Sequence, residues 1–328
     1  MLSTMPINPL HKALRVSAIT GMLLASAPSY AEKVTIGTTG PPGAMAWPFY
    51  VAIAKGYFAA ANIDLDVVSA PSSAAVVLQA TAGALDMTVE GSFVDVVRAI
   101  AKGAPLAIIR IMVQTPPYEL LAQPSIKTLK ELKGKTVSIG GPKDITRIYL
   151  DRMIEPNGVK DSDVDLVFAG ASSARLAALE SHAVDAAILT APYNFYGVPA
   201  GFPVIGRTAD YITDLPQNGT TVNLNWAAGH IDTMRRYLAA FNQGVAWFRD
   251  RQNRDEAIKI LVDAGNLKPE EVAKSYDFFR NGEFFEPTGT VSRAKLHTVI
   301  KTLESLGDLP SNIDIEKLVL PGVTQLSD

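Results

Sequence analysis

The sequence contains an internal duplication, and this feature constrains its fold more than any other. The first copy is predicted to contain a strand at 33–37, a Gly/Pro-rich loop at 38–43, a helix at 47–61, a strand at 65–69, a helix at 72–82 and a strand at 86–89. The same order returns about a hundred residues later, at 135–139, 140–142, 145–154, 165–168, a helix from 172, and 185–189. Each copy predicts a βαβαβ unit, whose right-handed crossovers build a parallel sheet.

Small local signals support the equivalence of the two copies. Ser72-Ser73 and Ser172-Ser173 are predicted to cap corresponding helices, because serine hydroxyls accept hydrogen bonds from the free N–H groups of a first turn. Gly83 is a natural residue to end the first of these helices, and His182 takes its place in the second copy.

Two such units predict an α/β fold with two βαβ-built lobes and a ligand cleft beyond the carboxyl ends of their strands. Four helices are predicted after Asn225, at 231–250, 254–264, 269–279 and 292–306, as a scaffold on the first lobe. Crossings near 114–118 and 221–225 would join the lobes, and two crossings suit a hinge that closes on a ligand. The expected division is lobe 1 at 32–116 with the helical scaffold at 225–328, and lobe 2 at 117–224.

Residues 1–31 have the layout of a secretory signal peptide. His11, Lys12 and Arg15 give a basic start, an apolar run follows at 16–27, and small residues precede a cleavage site near Ala31. The apolar run is shorter than the roughly 20 residues that span a bilayer. The sequence therefore predicts export to the periplasm and removal of this leader.

Charge and cysteine content narrow the class of function. The chain has 30 basic and 33 acidic residues. Removal of Lys12 and Arg15 with the leader leaves 28 basic residues and a net charge of −5. A mildly acidic protein is not expected to bind nucleic acid. The chain has no cysteine, which excludes disulfides, thiolate metal sites, thiol nucleophiles and a lipid-anchored cysteine.

Motifs typical of enzymes and cofactor sites are incomplete in this sequence. Residues 134–136 (GKT) resemble the end of a P-loop, but Leu129 stands where its first glycine belongs. Residues 161–172 begin like a calcium-binding loop, but Leu166 replaces the turn glycine. The four histidines are too scattered to suggest a metal cluster. We therefore expect no catalytic residues, no metal and no cofactor.

Five short motifs carry a resemblance to a known family. They are AKGYF followed by NIDLDV at 54–58 and 62–67, AGALD at 82–86, GAPL at 103–106, LKELKGKTV at 129–137 and HAVDAA at 182–187. In this order they are similar to motifs of the periplasmic binding proteins for nitrate, sulfonates, taurine and thiamine precursors. The resemblance covers about residues 33–192. It implies a type II periplasmic binding fold and delivery of a small molecule to the membrane permease of an ABC importer.

The loops at the predicted strand ends supply the candidate ligand-binding residues. These are Thr39, Met45, Trp47, Gly91, Ser92, Phe93 and Tyr118 on or beside the first lobe, and Lys143, Arg147, Thr190, Tyr193 and Asn194 on the second. Trp47 is either a ring that stacks on the ligand or a core residue. Ser92 either contacts the ligand or only caps a helix. Lys143 is either a ligand contact or a solvated surface charge. Arg147 offers a bidentate fork to a carboxylate or sulfonate.

The leading hypothesis is a monomeric periplasmic protein that binds a small organic anion, either a sulfonate or an aromatic carboxylate. The alternative is a thiamine-pyrimidine precursor, which a carboxylate acceptor such as Glu90 would favour, whereas Arg147 pointing inward would favour the anion. A third hypothesis is an enzyme on the same fold, with Glu90 or Asp144 as acid/base in a dehydratase-like reaction. The fungal thiamine-pyrimidine synthases that resemble this chain need a cysteine-rich segment, which it lacks.

Overall fold

The computed structural model describes residues 31–311 and 313–328. Its strands are β1 (Glu32–Thr39), β2 (Ile63–Ala70), β3 (Met87–Ser92), β4 (Leu106–Val113), β5 (Tyr118–Ala122), β6 (Lys135–Ile139), β7 (Val164–Phe168), β8 (Ala186–Thr190), β9 (Val204–Arg207), β10 (Asn218–Asn223), β11 (Val291–Ser292) and β12 (Leu326–Ser327). Apart from Ala31, the predicted signal peptide lies outside the described residues.

The helices alternate with the strands in both copies and then dominate the C-terminal part. They are α1 (Trp47–Ala54), α2 (Tyr57–Ala60), α3 (Ser73–Thr81), α4 (Phe93–Ala101), α5 (Ile145–Ile154), α6 (Ser172–Glu180), α7 (Tyr193–Gly197), α8 (Leu224–Ala227), α9 (Ile231–Arg249), α10 (Arg254–Gly265), α11 (Pro269–Asn281) and α12 (Arg293–Ser305). Within the described ranges, no helix combines the length and apolar character that crossing a membrane requires. The single helix predicted at 47–61 is instead two, because Gly56 adopts a left-handed conformation (φ 71°) between them.

Two five-stranded sheets with the same plan form the two lobes. The first has the strand order β2-β1-β3-β10-β4 and the second β7-β6-β8-β5-β9. In each sheet the three strands of one sequence copy are parallel, and an antiparallel strand (β10 or β5) pairs with the third of them. The predicted α/β architecture with two βαβ-built lobes is confirmed.

The second crossing between the lobes is not where the sequence suggested. The first crossing connects β4 to β5 through 114–117, as predicted. The second was expected near 221–225, but Asn218–Asn223 is the strand β10, fully buried and hydrogen-bonded to β3 and β4 of the first sheet. The return crossing therefore ends before Asn218. Each lobe receives its antiparallel strand directly from a crossing, so the boundary expected at 224 is wrong.

Equivalent hydrogen bonds in the two copies show that the duplication extends to their backbone geometry. The Asp86 carboxylate accepts from the Thr35 N–H (2.8 Å), and that of Asp185 accepts from the Thr136 N–H (2.9 Å). His182 adopts a left-handed φ of 58°, close to the 77° of Gly83. The two copies therefore share backbone geometry at a position where only one of them has glycine.

The serines of the two copies are equivalent with an offset of one residue. Ser73 Oγ accepts from the Ser92 N–H (2.8 Å), and Ser172 Oγ accepts from the Thr190 N–H (3.2 Å). Ser72 caps α3 through the Ala75 N–H (3.2 Å), as predicted. Ser172 does not cap α6, since it is already the first residue of that helix. In both lobes a helix-start serine thus fixes the end of the third strand, where the site lies.

The C-terminal helices α9–α12 pack mainly on the first lobe, as expected for a scaffold. Helix α1 lies against α9 and α10, and α4 lies against α12. The centre of this layer is aromatic: the Trp47 ring lies 5.4 Å from that of Phe248 and 5.7 Å from that of Tyr276. Trp47 Nε1 donates to the Ala257 carbonyl (2.9 Å), so its polar atom is satisfied within this core.

Candidate functional site

A cavity of about 110 Å³ lies between the two lobes, at the carboxyl ends of their parallel strands. The loop after β1, the end of β3 and the start of α3 line it from the first lobe, and loops after β6, β7 and β8 line it from the second. This is the location expected for ligands of open α/β sheets. Duplicated loops thus face each other across one small space.

Six of the predicted contact residues line the cavity. They are Thr39, Met45, Ser92, Tyr118, Thr190 and Tyr193. They come from both lobes and from the first crossing, and the sequence identified them by their position at strand ends.

Three predicted contacts on the first lobe lie in its core instead. Trp47 has no exposed surface and belongs to the aromatic layer beneath the C-terminal helices, so it is not a stacking wall. Phe93 is equally buried and packs against Gly219 of β10. Gly91 pairs with the same glycine in the β3–β10 ladder and does not line the cavity.

Three predicted contacts on the second lobe also point elsewhere. Lys143 is exposed, forms an ion pair with Asp308 and does not line the cavity. Arg147 forms ion pairs with Asp161 and Asp151 on the surface of its own lobe. Asn194 is buried, where its Nδ2 donates to the carboxylate of Glu119 (2.7 Å).

Arg175, which the sequence did not single out, supplies the positive charge of the cavity. It is 4% exposed, its Nη1 donates to the Gly170 carbonyl (2.8 Å) and its Nη2 donates to Ser172 Oγ (2.7 Å). Its Nε is buried and has no hydrogen-bond partner among the described residues. Burial lowers the pKa of the Arg175 guanidinium, but the group stays charged at neutral pH.

A signal for Arg175 was present in the sequence. Helix α6 buries Ser172, Arg175, Leu176 and Leu179, which is the i, i+3, i+4, i+7 stripe of an amphipathic helix. A charged residue on the buried stripe of a helix needs a polar partner or a ligand. Its presence there, three residues after a strand-end loop, marks it as a site residue.

Glu90 places a carboxyl group on the opposite wall of the cavity. It stands near the end of β3, and its Oε2 accepts from the Thr39 N–H (3.0 Å). No described residue donates to its other oxygen, and no cation pairs with it. Burial raises the pKa of Glu90 from 4.5 to about 7. The carboxyl therefore changes its protonation state near neutral pH.

Two further buried polar groups beside Glu90 have unused hydrogen-bonding capacity. Ser92 Oγ and Asn218 Oδ1 have no partner in the described part of the chain, although both residues are about fully buried and line the cavity. They face each other in the register of β3 and β10. Buried polar atoms are normally satisfied, so such a pair at a cavity wall indicates a place for a ligand.

Tyr118 connects the two walls. Its hydroxyl accepts from Gln217 Nε2 (3.3 Å), and Gln217 also accepts from the Tyr149 hydroxyl. Burial raises the pKa of Tyr118; the charge of Arg175 opposes this rise and that of Glu90 adds to it. Tyr118 is thus a neutral hydrogen-bonding group of the cavity, and Gln217 of the return crossing lines the cavity beside it.

Further polar groups of the cavity come from helix starts on both lobes. Asp144 caps α5, where its Oδ1 accepts from the Thr146 N–H (2.9 Å). Among residues 31–311 and 313–328, no group of three histidine or acidic side chains is placed to hold a metal ion. The cavity combines two carboxyl groups, one guanidinium and several hydroxyls.

Two matching lobes with a cleft at their strand ends define the type II periplasmic binding protein fold. Solved structures of this fold superpose on most of the chain. The alkanesulfonate-binding protein SsuA from Xanthomonas axonopodis pv. citri, bound to MOPS, has a TM-score of 0.72 at 15% identity, with 91% of this chain and 99% of that chain covered. The periplasmic nitrate-binding protein NrtA from Synechocystis PCC 6803 has a TM-score of 0.69 at 15% identity, covering 87% and 84%.

The family follows from the sequence comparison. The family model described as NMT1/THI5 like matches residues 45–254, and the chain belongs to this family. A curated relative, the riboflavin-binding protein RibY from Chloroflexus aurantiacus, is 27% identical over 244 residues, which is 70% of this chain. The match spans 66% of that relative's length. The suspected family is therefore confirmed.

Proposed function

We propose that the protein is the periplasmic substrate-binding component of an ABC importer and that it captures a small organic anion, a sulfonate or an aromatic carboxylate, without catalysis. The observation that carries this proposal is the Arg175 guanidinium, buried in the cavity wall with a free Nε–H. A charge-assisted hydrogen bond from arginine to a carboxylate or sulfonate is strong in such an enclosed place. Arg147, the arginine expected for this role from the sequence, lies on the surface.

Export and the importer partner are supported by two independent features. Residues 1–31 have the pattern of a signal peptide, and the family and fold are those of binding proteins with two lobes. The alkanesulfonate-binding and nitrate-binding neighbours both bind anions, which supports the anionic class. We infer from this that the closed protein delivers its ligand to a membrane permease.

A thiamine-pyrimidine precursor is the second candidate, because of Glu90. An unpaired carboxyl in the cavity is a suitable acceptor for the amino group of a pyrimidine.

A thermal-shift screen tests the proposal. The panel contains sulfonates, benzoates, phthalates, nitrate and pyrimidines, and a ligand at a hundred times its Kd should stabilise the protein by about 2.7 kcal/mol. We expect a sulfonate or aromatic carboxylate to raise Tm. A shift with pyrimidines alone would establish the second candidate instead, and no shift across the panel would make both ligand classes wrong.

Two arginine variants locate the binding. Arg175→Met should abolish the shift that the anion produces, because it removes the cation of the cavity. Arg147→Met is the matched control, since it removes an arginine of the same lobe that is paired with Asp161 on the surface. Equal loss in both variants would show that the anion does not bind in the cavity.

A further inference from the structure

The charges in the cavity do not match a simple anion. Arg175 contributes one positive charge from the second lobe, whereas Glu90 and Asp144 contribute two carboxyl groups. Asp144 is engaged with Thr146 at the start of α5, but Glu90 has only one N–H partner. An anion that fills the whole cavity brings its own negative charge against Glu90, which is unfavourable in a buried place.

The unsatisfied groups on the Glu90 wall mostly need donors. Within the described residues, Asn218 Oδ1 is a buried acceptor without a partner and Glu90 accepts through only one of its two carboxylate oxygens, while the Ser92 hydroxyl beside them can donate or accept. The three groups lie at the ends of the paired strands β3 and β10. A ligand with N–H groups at this end satisfies them, and a ligand that carries only acceptors there leaves them unsatisfied.

The groups on the opposite wall need an acceptor. Among the described residues, Arg175 Nε is a buried donor without a hydrogen-bond partner, and the other two guanidinium nitrogens donate to Gly170 and Ser172. Glu90, Tyr118 and Arg175 all line the same cavity, so one small ligand can reach both walls. The donor side and the acceptor side are therefore on different lobes.

We propose that the ligand is bipolar: a small molecule with an anionic group that binds Arg175 and an N–H donor group at its other end that binds Glu90, Ser92 and Asn218. This rests on the proposed function and narrows it. The site is a small cavity of about 110 Å³, which favours a small ligand. Because each lobe holds one end, only a ligand with both groups stabilises the closed protein, and Glu90 selects against plain anions and dianions.

Three aromatic acids of nearly the same shape test this inference by calorimetric titration at pH 8. Benzoate has only the anionic end, 4-aminobenzoate adds N–H donors opposite it, and terephthalate adds a second carboxylate. We expect 4-aminobenzoate to bind at least about tenfold more tightly than benzoate, since a hydrogen bond to a charged acceptor has about this effect. Terephthalate should bind more weakly than benzoate, because its second carboxylate meets Glu90.

The variant Glu90→Gln is expected to gain affinity for terephthalate. A misfolded variant would not show such a gain. Its neutral amide accepts less strongly and donates an N–H, so terephthalate should bind the variant more tightly than it binds the wild type, and the preference for 4-aminobenzoate should shrink. Equal affinities of the wild type for all three acids would overturn the bipolar inference and leave the proposed function intact. Binding of none of them to the folded protein would overturn the bipolar inference and the aromatic-carboxylate class of the proposed function, and would leave its sulfonate class.

Discussion

The buried carboxyl of Glu90 should reduce the stability of the ligand-free protein at alkaline pH, and Glu90→Gln should restore it. The folded protein holds the Glu90 proton more tightly than the unfolded chain does. Stability therefore falls as the pH rises from 4.5 through about 7. With about 1.4 kcal/mol per pH unit, the cost is about 3 kcal/mol at pH 8 and below about 1 kcal/mol at pH 5.

Urea unfolding of wild type and variant at pH 5 and pH 8 measures this effect. We expect Glu90→Gln to stabilise the protein by about 2 to 3 kcal/mol more at pH 8 than at pH 5, because the glutamine still accepts from the Thr39 N–H without a charge. Other buried acids contribute to the pH dependence of both proteins equally, and the comparison removes them.

Glu119→Gln is the matched control for this prediction. Glu119 is also a buried glutamate near the site, but it has an ion pair with Arg207 (2.9 Å) and accepts from Asn194. Its neutralisation should destabilise the protein at pH 8, since it leaves partners without their acceptor. The reasoning is refuted if Glu90→Gln has the same effect at both pH values, or if it destabilises the protein at pH 8 as the control does.

Two backbone predictions address the fold itself. Gly219→Ala should cost about 3 kcal/mol in urea unfolding, because its Cβ would lie 2.0 Å from the Arg110 carbonyl oxygen inside the first sheet. Gly229→Ala, in open space, should stay within about 0.5 kcal/mol of wild type, and equal effects would contradict the packing. His182→Gly should raise stability by about 0.5 kcal/mol, since it relieves a left-handed φ of 58°. Gly83→His should lower it, and a loss from His182→Gly would show that the histidine has another role.

The fold could be predicted from the sequence because its signals are local. Strands of the two copies alternate with helices whose starts carry serines, and these features repeat at similar spacing, although only the first copy has glycine at the helix end. The second crossing could not be located in this way. Asn218–Asn223 has a polar, threonine-rich sequence, and its membership in the first sheet depends on pairing with strands more than a hundred residues away.

The site was predictable as a set of loops but not as a set of side chains. Strand ends identified Thr39, Ser92 and Thr190, because the carboxyl edge of a parallel sheet is a property of topology. Whether an aromatic ring turns into the cleft or into the core depends on what packs beneath it. The C-terminal helices bury Trp47, and this packing between distant segments leaves no local trace in the sequence.

The most direct test of a ligand held between the two lobes is a disulfide that closes the cleft. A Cβ at Gly40 would lie 3.6 Å from Cβ of Ala171 on the opposite lobe, within the range of about 3.5–4.5 Å that disulfides require. The natural chain has no cysteine, so Gly40→Cys with Ala171→Cys forms a single defined bond. We expect the oxidised, ligand-free protein to give no calorimetric binding of 4-aminobenzoate, and reduction to restore it. Equal binding before and after reduction, with the bond verified by mass spectrometry, would contradict a site in this cleft.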